Sequence, residues 1–260
     1  MSEAIRPGSI RLIVGLGNPG KEYERTRHNA GFWLLERFAV QSGVALRKDG
    51  KYQALVGRMP SGVPGGGAWL ILPQSFMNAS GRAVQMLAGF FKIQPAEILV
   101  VHDELDFEPG TAKIKQGGGI AGHNGLKDIS QRLGSHDYWR LRLGIGHPGD
   151  KNAVAGYVLQ KPSTADRAEI DEAIGRSVEI LPLCIAGDLQ AAMQKLHSVE
   201  KPKKTKPVEK QAEPKIEAKP EPKAEAKPEV KPVPKAAPNP APAPVPEKKG
   251  LFGSLFGKKK

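Results

Sequence analysis

Histidine, aspartate and side-chain amides recur in this chain at positions that could move protons: Asn18, His28, Asn78, Asp103, His123 and Asn124. A neutral imidazole held by a carboxylate is a general base, because the carboxylate fixes the ring tautomer and stabilises the imidazolium that forms. His28 with Asp103 is the pair expected to do this. No serine stands in a nucleophile-elbow pattern, so water is the expected nucleophile. Asn side chains and backbone N–H groups would then stabilise a developing oxyanion. Each residue also has a plain structural reading, His28 as a cap or half-buried polar group and Asp103 as a loop or helix cap. A metal site competes, since His102, Asp103, Glu104, Asp106, His123 and His147 are all potential ligands. Their spacing fits no standard zinc pattern, and no metal is expected.

The elements that must position these groups follow from apolar spacing. The stretch from Leu12 to Asn29 opens on an apolar run bounded by glycine and proline, which reads as a buried strand, so Gly17, Asn18, Pro19 and Gly20 should lie where it ends, which is where ligands bind in open α/β sheets. Gly15, Gly17 and Gly20 also spell a dinucleotide fingerprint. Pro19 pushes Asn18 out of the α region just where a phosphate-binding helix would have to open, and no strand ending in Asp or Glu follows, which argues against a nucleotide. Ala30 to Ser42 has helical spacing, with His28 and Asn29 at its N-terminal edge. Tyr52 to Arg58 and Ala68 to Leu72 read as a hairpin, and a helix carrying Val84, Leu87, Ala88 and Phe91 follows, with Phe76, Met77 and Asn78 at its start. Ile98 to Val101 reads as a strand running straight into the polar cluster His102 to Asp106.

Thr111 to Gln116 alternates, which puts Lys113 and Lys115 on one wet face, and Trp139 to Gly144 alternates Arg140 and Arg142 against Leu141 and Leu143. Between them a glycine-rich turn, Gly117 to Asn124, leads into a helix over Leu126 to Leu133, an approach that favours an anion or oxyanion. With Lys151 in the next loop, the flanking basic strands suit a phosphate-bearing ligand. Ser163 is placed to cap a helix with body Ala168 to Ala186.

The formal net charge of +12 over 260 residues is uneven. Residues 201 to 260 hold 16 Lys against 7 Glu, while residues 1 to 200 hold 23 Lys and Arg against 20 Asp and Glu. Residues 1 to 200 can bury a full core. Residues 201 to 247, dominated by Lys, Pro, Glu and Ala, cannot offset the entropy of ordering and are expected to be disordered, reaching roughly 140 Å if extended at about 3 Å per residue. Residues 248 to 260 repeat Leu-Phe-Gly beside lysines, a segment suited to a membrane surface or a partner groove. Cys184 is the single cysteine, which excludes an internal disulfide, and its apolar neighbours make it a buried thiol. The N-terminal residues lack an apolar signal core, and a cytoplasmic protein is expected.

VGLGNPG, YERTRHNAGF, SFMNASG, VHDELD, GGGIAGHNGLKD and LRLGIGHPGD, in this order, resemble bacterial peptidyl-tRNA hydrolases over roughly residues 10 to 197. The resemblance implies a single α/β domain with a twisted mixed β-sheet flanked by helices, usually monomeric, acting on peptidyl-tRNA. It implies hydrolysis of the ester joining peptide to tRNA, without cofactor, metal or nucleotide. Residue by residue, it implies that His28 is the base and Asp103 its partner, with Asn18 and Asn78 positioning water or the peptide carbonyl and Asn124 in the same cluster. Tyr23, Phe76, Met77 and His123 match cleft positions for substrate, and Lys113, Lys115, Arg142 and Lys151 match the surface that grips tRNA phosphate. Ile120 and Ala121 depart from the pattern, standing where many members have histidine and glycine. Some relatives of this fold are non-catalytic RNA-binding splicing factors, the alternative reading, but His28, Asn18, Asn78 and Asp103 are all in place and favour the enzyme.

For the basic tail the expected partner is RNA, the ribosome or a membrane surface, bound in a salt-sensitive way and dispensable for catalysis. A chain truncated after His197 is therefore expected to retain hydrolysis at high salt, measured as turnover of peptidyl-tRNA. A large loss there contradicts this assignment.

Overall fold

Seven strands form one mixed sheet in a computed structural model of the chain, which describes residues 8–60 and 67–198. The expected disordered stretch 201–247, the terminal segment 248–260 and loop residues 61–66 lie outside the described residues. The strands are β1 (Leu12–Gly15), β2 (Arg47–Asp49), β3 (Ala54–Arg58), β4 (Trp69–Pro73), β5 (Ile98–Glu104), β6 (Ala112–Gln116) and β7 (Trp139–Gly144), in the order β2-β3-β4-β1-β5-β7-β6. The central strands β4, β1, β5 and β7 run parallel, and β2, β3 and β6 are antiparallel additions at the edges. This is the expected twisted α/β arrangement with one strand more than the sequence pattern shows: β2 is short, charged and largely exposed, so it carries no apolar signal.

The helices are α1 (Ala30–Gln41), α2 (Ser80–Phe91), α3 (Asn124–Leu133), α4 (Val154–Val158), α5 (Thr164–Ala186) and α6 (Leu189–His197). Alternation along the strands divides the core in two. Ile13, Leu70, Leu72, Leu99 and Val101 face α1, α5 and α6, and Leu12, Val14, Ile71, Ile98 and Val100 face α2 and α3. Helix α6 was not legible as a separate element, because Gly187 and Asp188 break a continuous helical pattern: Gly187 takes a left-handed conformation and Asp188 caps the new helix by accepting from the Ala191 amide. Among the described residues no helix is long and apolar enough to cross a membrane.

Two boundaries differ from the sequence pattern in a way that matters for the site. Strand β5 does not stop at Val101 but continues through His102, Asp103 and Glu104, which are paired with Arg142, Leu143 and Gly144 of β7. Its polar end is therefore as buried as its apolar start. Helix α3 begins at Asn124, with His123 as its N-cap.

The crossing of α1 over β1 and β5 brings these ends together. A Cβ on Gly31 would stand 2.4 Å from the Val101 carbonyl oxygen and 2.5 and 2.6 Å from the Leu16 backbone N and O. Only glycine lets the first turn of α1 sit so close to the sheet, and the helix seals the contact through the Phe32 amide, which donates to the Leu16 carbonyl. Because all three obstructing atoms are backbone, Gly31→Ala is expected to destabilise the fold by about 1–3 kcal/mol or more, read from denaturant midpoints. An unchanged midpoint would show that the helix can lift without cost.

Candidate active site

His28 lies in the single 3-10 turn Arg27–Asn29 that enters α1, and Asp103 sits near the end of β5, so the close crossing of α1 brings two buried groups face to face. The His28 Nδ1–H donates to the Asp103 carboxylate, 2.9 Å from Oδ1 and 3.0 Å from Oδ2. A carboxylate only accepts, so the ring proton is held on Nδ1 and Nε2 is left as the basic nitrogen. Burial alone would lower the pKa of His28, but the charge and hydrogen bonds of Asp103 outweigh it and raise the pKa above its ordinary 6.5. Burial would raise the Asp103 pKa, yet His28 and His123 together hold it well below the usual carboxylate range.

The third member of this cluster is His123, expected as a substrate contact. Its Nε2 lies 3.0 Å from Asp103 Oδ1, and its ring lies 5.0 Å from that of His28. Its neighbour in the cluster, His102, donates from Nδ1 to the backbone carbonyl of Asp103 at 2.7 Å. Burial, reinforced by the neighbouring His123, pushes the pKa of His102 down to about 3, so it remains neutral.

Asn18 is set on the other side by a lattice of amides. Asn29 Oδ1 accepts from the Asn18 backbone N–H and Asn29 Nδ2 donates to the Asn18 carbonyl, both at 2.9 Å. The Asn18 side chain accepts from the Met77 amide at 2.7 Å, which commits its Oδ1 to the protein and leaves Nδ2 as its free-facing donor. Asn29 was missed as a site residue; its signal was a polar amide at the threshold of an apolar helix. Met77 is buried, and its Sδ packs where a side chain on Gly125 would go, joining the Asn18 side to the start of α3.

The remaining expected residues divide. Phe76 is exposed and meets Tyr23 edge-on at 6.2 Å between ring centroids. Asn78 is exposed, and no hydrogen bond joins it to Asp103 among the described residues, whose partners are the two histidines. Asn124, Lys115, Arg142 and Lys151 line a cavity of about 540 Å³ together with His28, Asp103 and His123. Lys113 pairs in register with Arg142 on the neighbouring strand but does not line that cavity.

The basic face expected of β7 is only half correct. Arg142 is half-buried, pairs with Glu104 at 2.8 Å and lies over the Phe107 ring at 4.3 Å. Arg140 is buried, and its guanidinium donates to the carbonyls of Gly118 and Gly119. It shapes the glycine-rich loop rather than presenting charge to solvent.

His28, Asp103 and His123 are the one group of potential metal ligands among the described residues. The arrangement does not suit an ion. The Gly125 and Leu126 amides point at His123 Nδ1 at 3.2 and 3.4 Å, so the proton of the neutral ring sits on Nε2, the atom that would have to coordinate. Cys184 is buried and its thiol pKa is pushed up to about 12 by burial, which removes it as a nucleophile.

The fold and site define a class: an α/β protein with a buried His–Asp pair at the carboxyl ends of parallel strands, beside a cavity lined by basic side chains. A family sequence profile described as "Peptidyl-tRNA hydrolase" matches residues 12–206. The chain is 55% identical over 189 residues to a peptidyl-tRNA hydrolase of Nitrosospira multiformis, covering 73% of this chain and 98% of that one. It is also 55% identical over 190 residues to that of Neisseria meningitidis serogroup C, with the same coverages. The crystal structure of peptidyl-tRNA hydrolase from Acinetobacter baumannii superposes with a TM-score of 0.70 at 43% identity, covering 73% of this chain and 95% of that one. The chain belongs to the peptidyl-tRNA hydrolase family.

Because Asn29 satisfies both backbone groups of Asn18 inside the protein, Asn29→Ala leaves a buried donor and acceptor unpaired. A loss of about 1–3 kcal/mol in unfolding free energy is expected, with turnover falling alongside as Asn18 loses its orientation. Unaltered stability and turnover would show that Asn18 is held by other means.

Proposed function

We propose that His28 is the base in the reaction of this peptidyl-tRNA hydrolase, cleavage of the ester that joins peptide to tRNA. The observation that carries the reading is the buried His28–Asp103 pair, which holds the ring proton on Nδ1 and turns the basic Nε2 to the substrate side. Nε2 takes a proton from water as the water oxygen bonds to the ester carbonyl carbon. The resulting oxyanion is met by the Asn18 Nδ2–H group, oriented by Met77 and Asn29, and in this reading exposed Asn78 and Asn124 of the cavity wall offer further amide groups. When the carbon–oxygen ester bond breaks, His28 returns its proton to the departing ribose oxygen. The products are tRNA with a free hydroxyl and a peptide carboxylic acid, which loses its proton to solvent. Asp103 stabilises the imidazolium throughout and is not itself protonated.

Substrate binding divides between two surfaces in this reading. The Tyr23, Phe76 and Met77 side receives the peptide and terminal nucleoside. Lys113, Lys115, Arg142 and Lys151 receive tRNA phosphate, with Arg142 preorganised by Glu104 and Phe107. Residues 1–200 serve as the catalytic domain of a monomeric cytoplasmic enzyme, 201–247 as a linker, and 248–260 as a terminal contact segment. Support for the first bound comes from the family match, which ends at residue 206.

The base must be neutral to act, and its pKa is raised above 6.5, so kcat/KM should fall as pH drops through a value above 6.5 and be full above it. Asp103→Asn removes the charge that raises it, and the acid limb should move to lower pH while the rate at every pH falls. His28→Ala should lower kcat by roughly 10²- to 10⁴-fold and abolish the acid limb. Unchanged turnover by His28→Ala would refute the assignment.

A further inference from the structure

His123 has two jobs in the fold that together constrain its chemistry. As the N-cap of α3 its Nδ1 accepts from the Gly125 and Leu126 amides, which excludes a proton on that nitrogen. The ring then carries its proton on Nε2, 3.0 Å from Asp103 Oδ1, the same oxygen that His28 approaches at 2.9 Å. The cap is rigidly backed. The Gly125 backbone is pressed against Met77 and Leu16, so close that a Cβ there would lie 2.6 Å from Met77 Sδ and 2.9 Å from Leu16 Cδ1.

We propose that His123 is a positioning residue whose Nε2–H, aimed by the start of α3, shares the Asp103 carboxylate with His28 and so limits how strongly that carboxylate can hold a proton on the base. The inference rests on His28 acting as the base. A carboxylate that receives one donor concentrates its attraction on that donor, and a second N–H at the same oxygen disperses it. An unshared Asp103 would bind the His28 imidazolium more tightly and keep the base protonated, hence inactive, to higher pH. His123 therefore keeps the base strong enough to take a proton from water and weak enough to be free of it near neutral pH.

The other charges around the pair have partners of their own or form no hydrogen bond with Asp103 among the described residues. On β5, His102 is neutral and Glu104 is paired with Arg142. On β7, Arg140 is turned to the Gly118 and Gly119 carbonyls. Lys115, Lys151, Asp106 and His147 line the same cavity, but no hydrogen bond joins them to Asp103 among the described residues.

The test reads the His28 ring directly, by NMR titration of full-length protein carrying labelled histidine, beside the pH profile of kcat/KM on peptidyl-tRNA. His123→Asn keeps a side-chain oxygen for the α3 amides but is too short to reach Asp103. Its expected result is a rise of about one pH unit in both the His28 midpoint and the acid limb, so that kcat/KM well below the limb falls about tenfold. In an Asp103→Asn background the same substitution should move neither. His123→Gln, long enough to offer Asp103 an N–H, should restore the wild-type midpoint, and it keeps the test open if the Asn variant does not fold. A His28 midpoint that is the same in wild type and His123→Asn overturns the proposal, whatever happens to KM. A midpoint that moves while the acid limb stays in place overturns instead the assignment of His28 as the base, on which the proposal stands.

Discussion

The contact between one imidazole nitrogen and one carboxylate, 2.9 Å long and spanning 75 positions of sequence, is the constraint to which the rest of this structure answers. His28 is delivered by the turn before α1 and Asp103 by the end of β5, so the bond forms only if helix and strand lie closer than ordinary side chains allow. Gly31 removes the obstacle on the helix, and Gly15 removes it on β1, where a Cβ would stand 2.6 Å from the Gly31 carbonyl oxygen. The site is thus built on backbone-to-backbone packing. That fixes the His28–Asp103 geometry to a degree that side chains on a mobile loop would not.

Burial gives the pair its strength and also its hazard. A buried carboxylate without partners would take up a proton and cease to orient the ring. Asp103 avoids this by accepting from two imidazoles while His102 supports its backbone carbonyl. The same economy appears on the amide side, where Asn29 holds both backbone groups of Asn18 and the Met77 amide holds its side-chain oxygen. Asp103 and Asn18 are therefore satisfied by groups that also aim them, and for these two residues stability and alignment come from the same bonds.

Electrostatics are organised on a larger scale around this centre. The cavity beside the His28–Asp103 pair holds Lys115, Arg142 and Lys151, and elsewhere exposed Phe76 meets half-buried Tyr23 edge-on. Of the formal net charge of +12, residues 201 to 260 carry +9, from 16 Lys against 7 Glu.

By itself the sequence determined the element order, the two-sided apolar pattern of the central strands and the chemical identity of the pair. Buried parallel strands and amphipathic helices announce themselves through periodicity, and His28 and Asp103 stood out as polar residues at element ends. It could not show the short charged β2, whose strand character comes only from pairing with β3, or that β5 runs on through Asp103, because polar residues at a strand end look like a loop until the β7 ladder is present. Only the tertiary structure decided that Arg140 faces inward, that Asn29 orients Asn18, and that His123 touches Asp103 rather than serving solely as a cleft residue. Those facts depend on which atom of a side chain meets which partner across long separations, and periodicity carries no information about that.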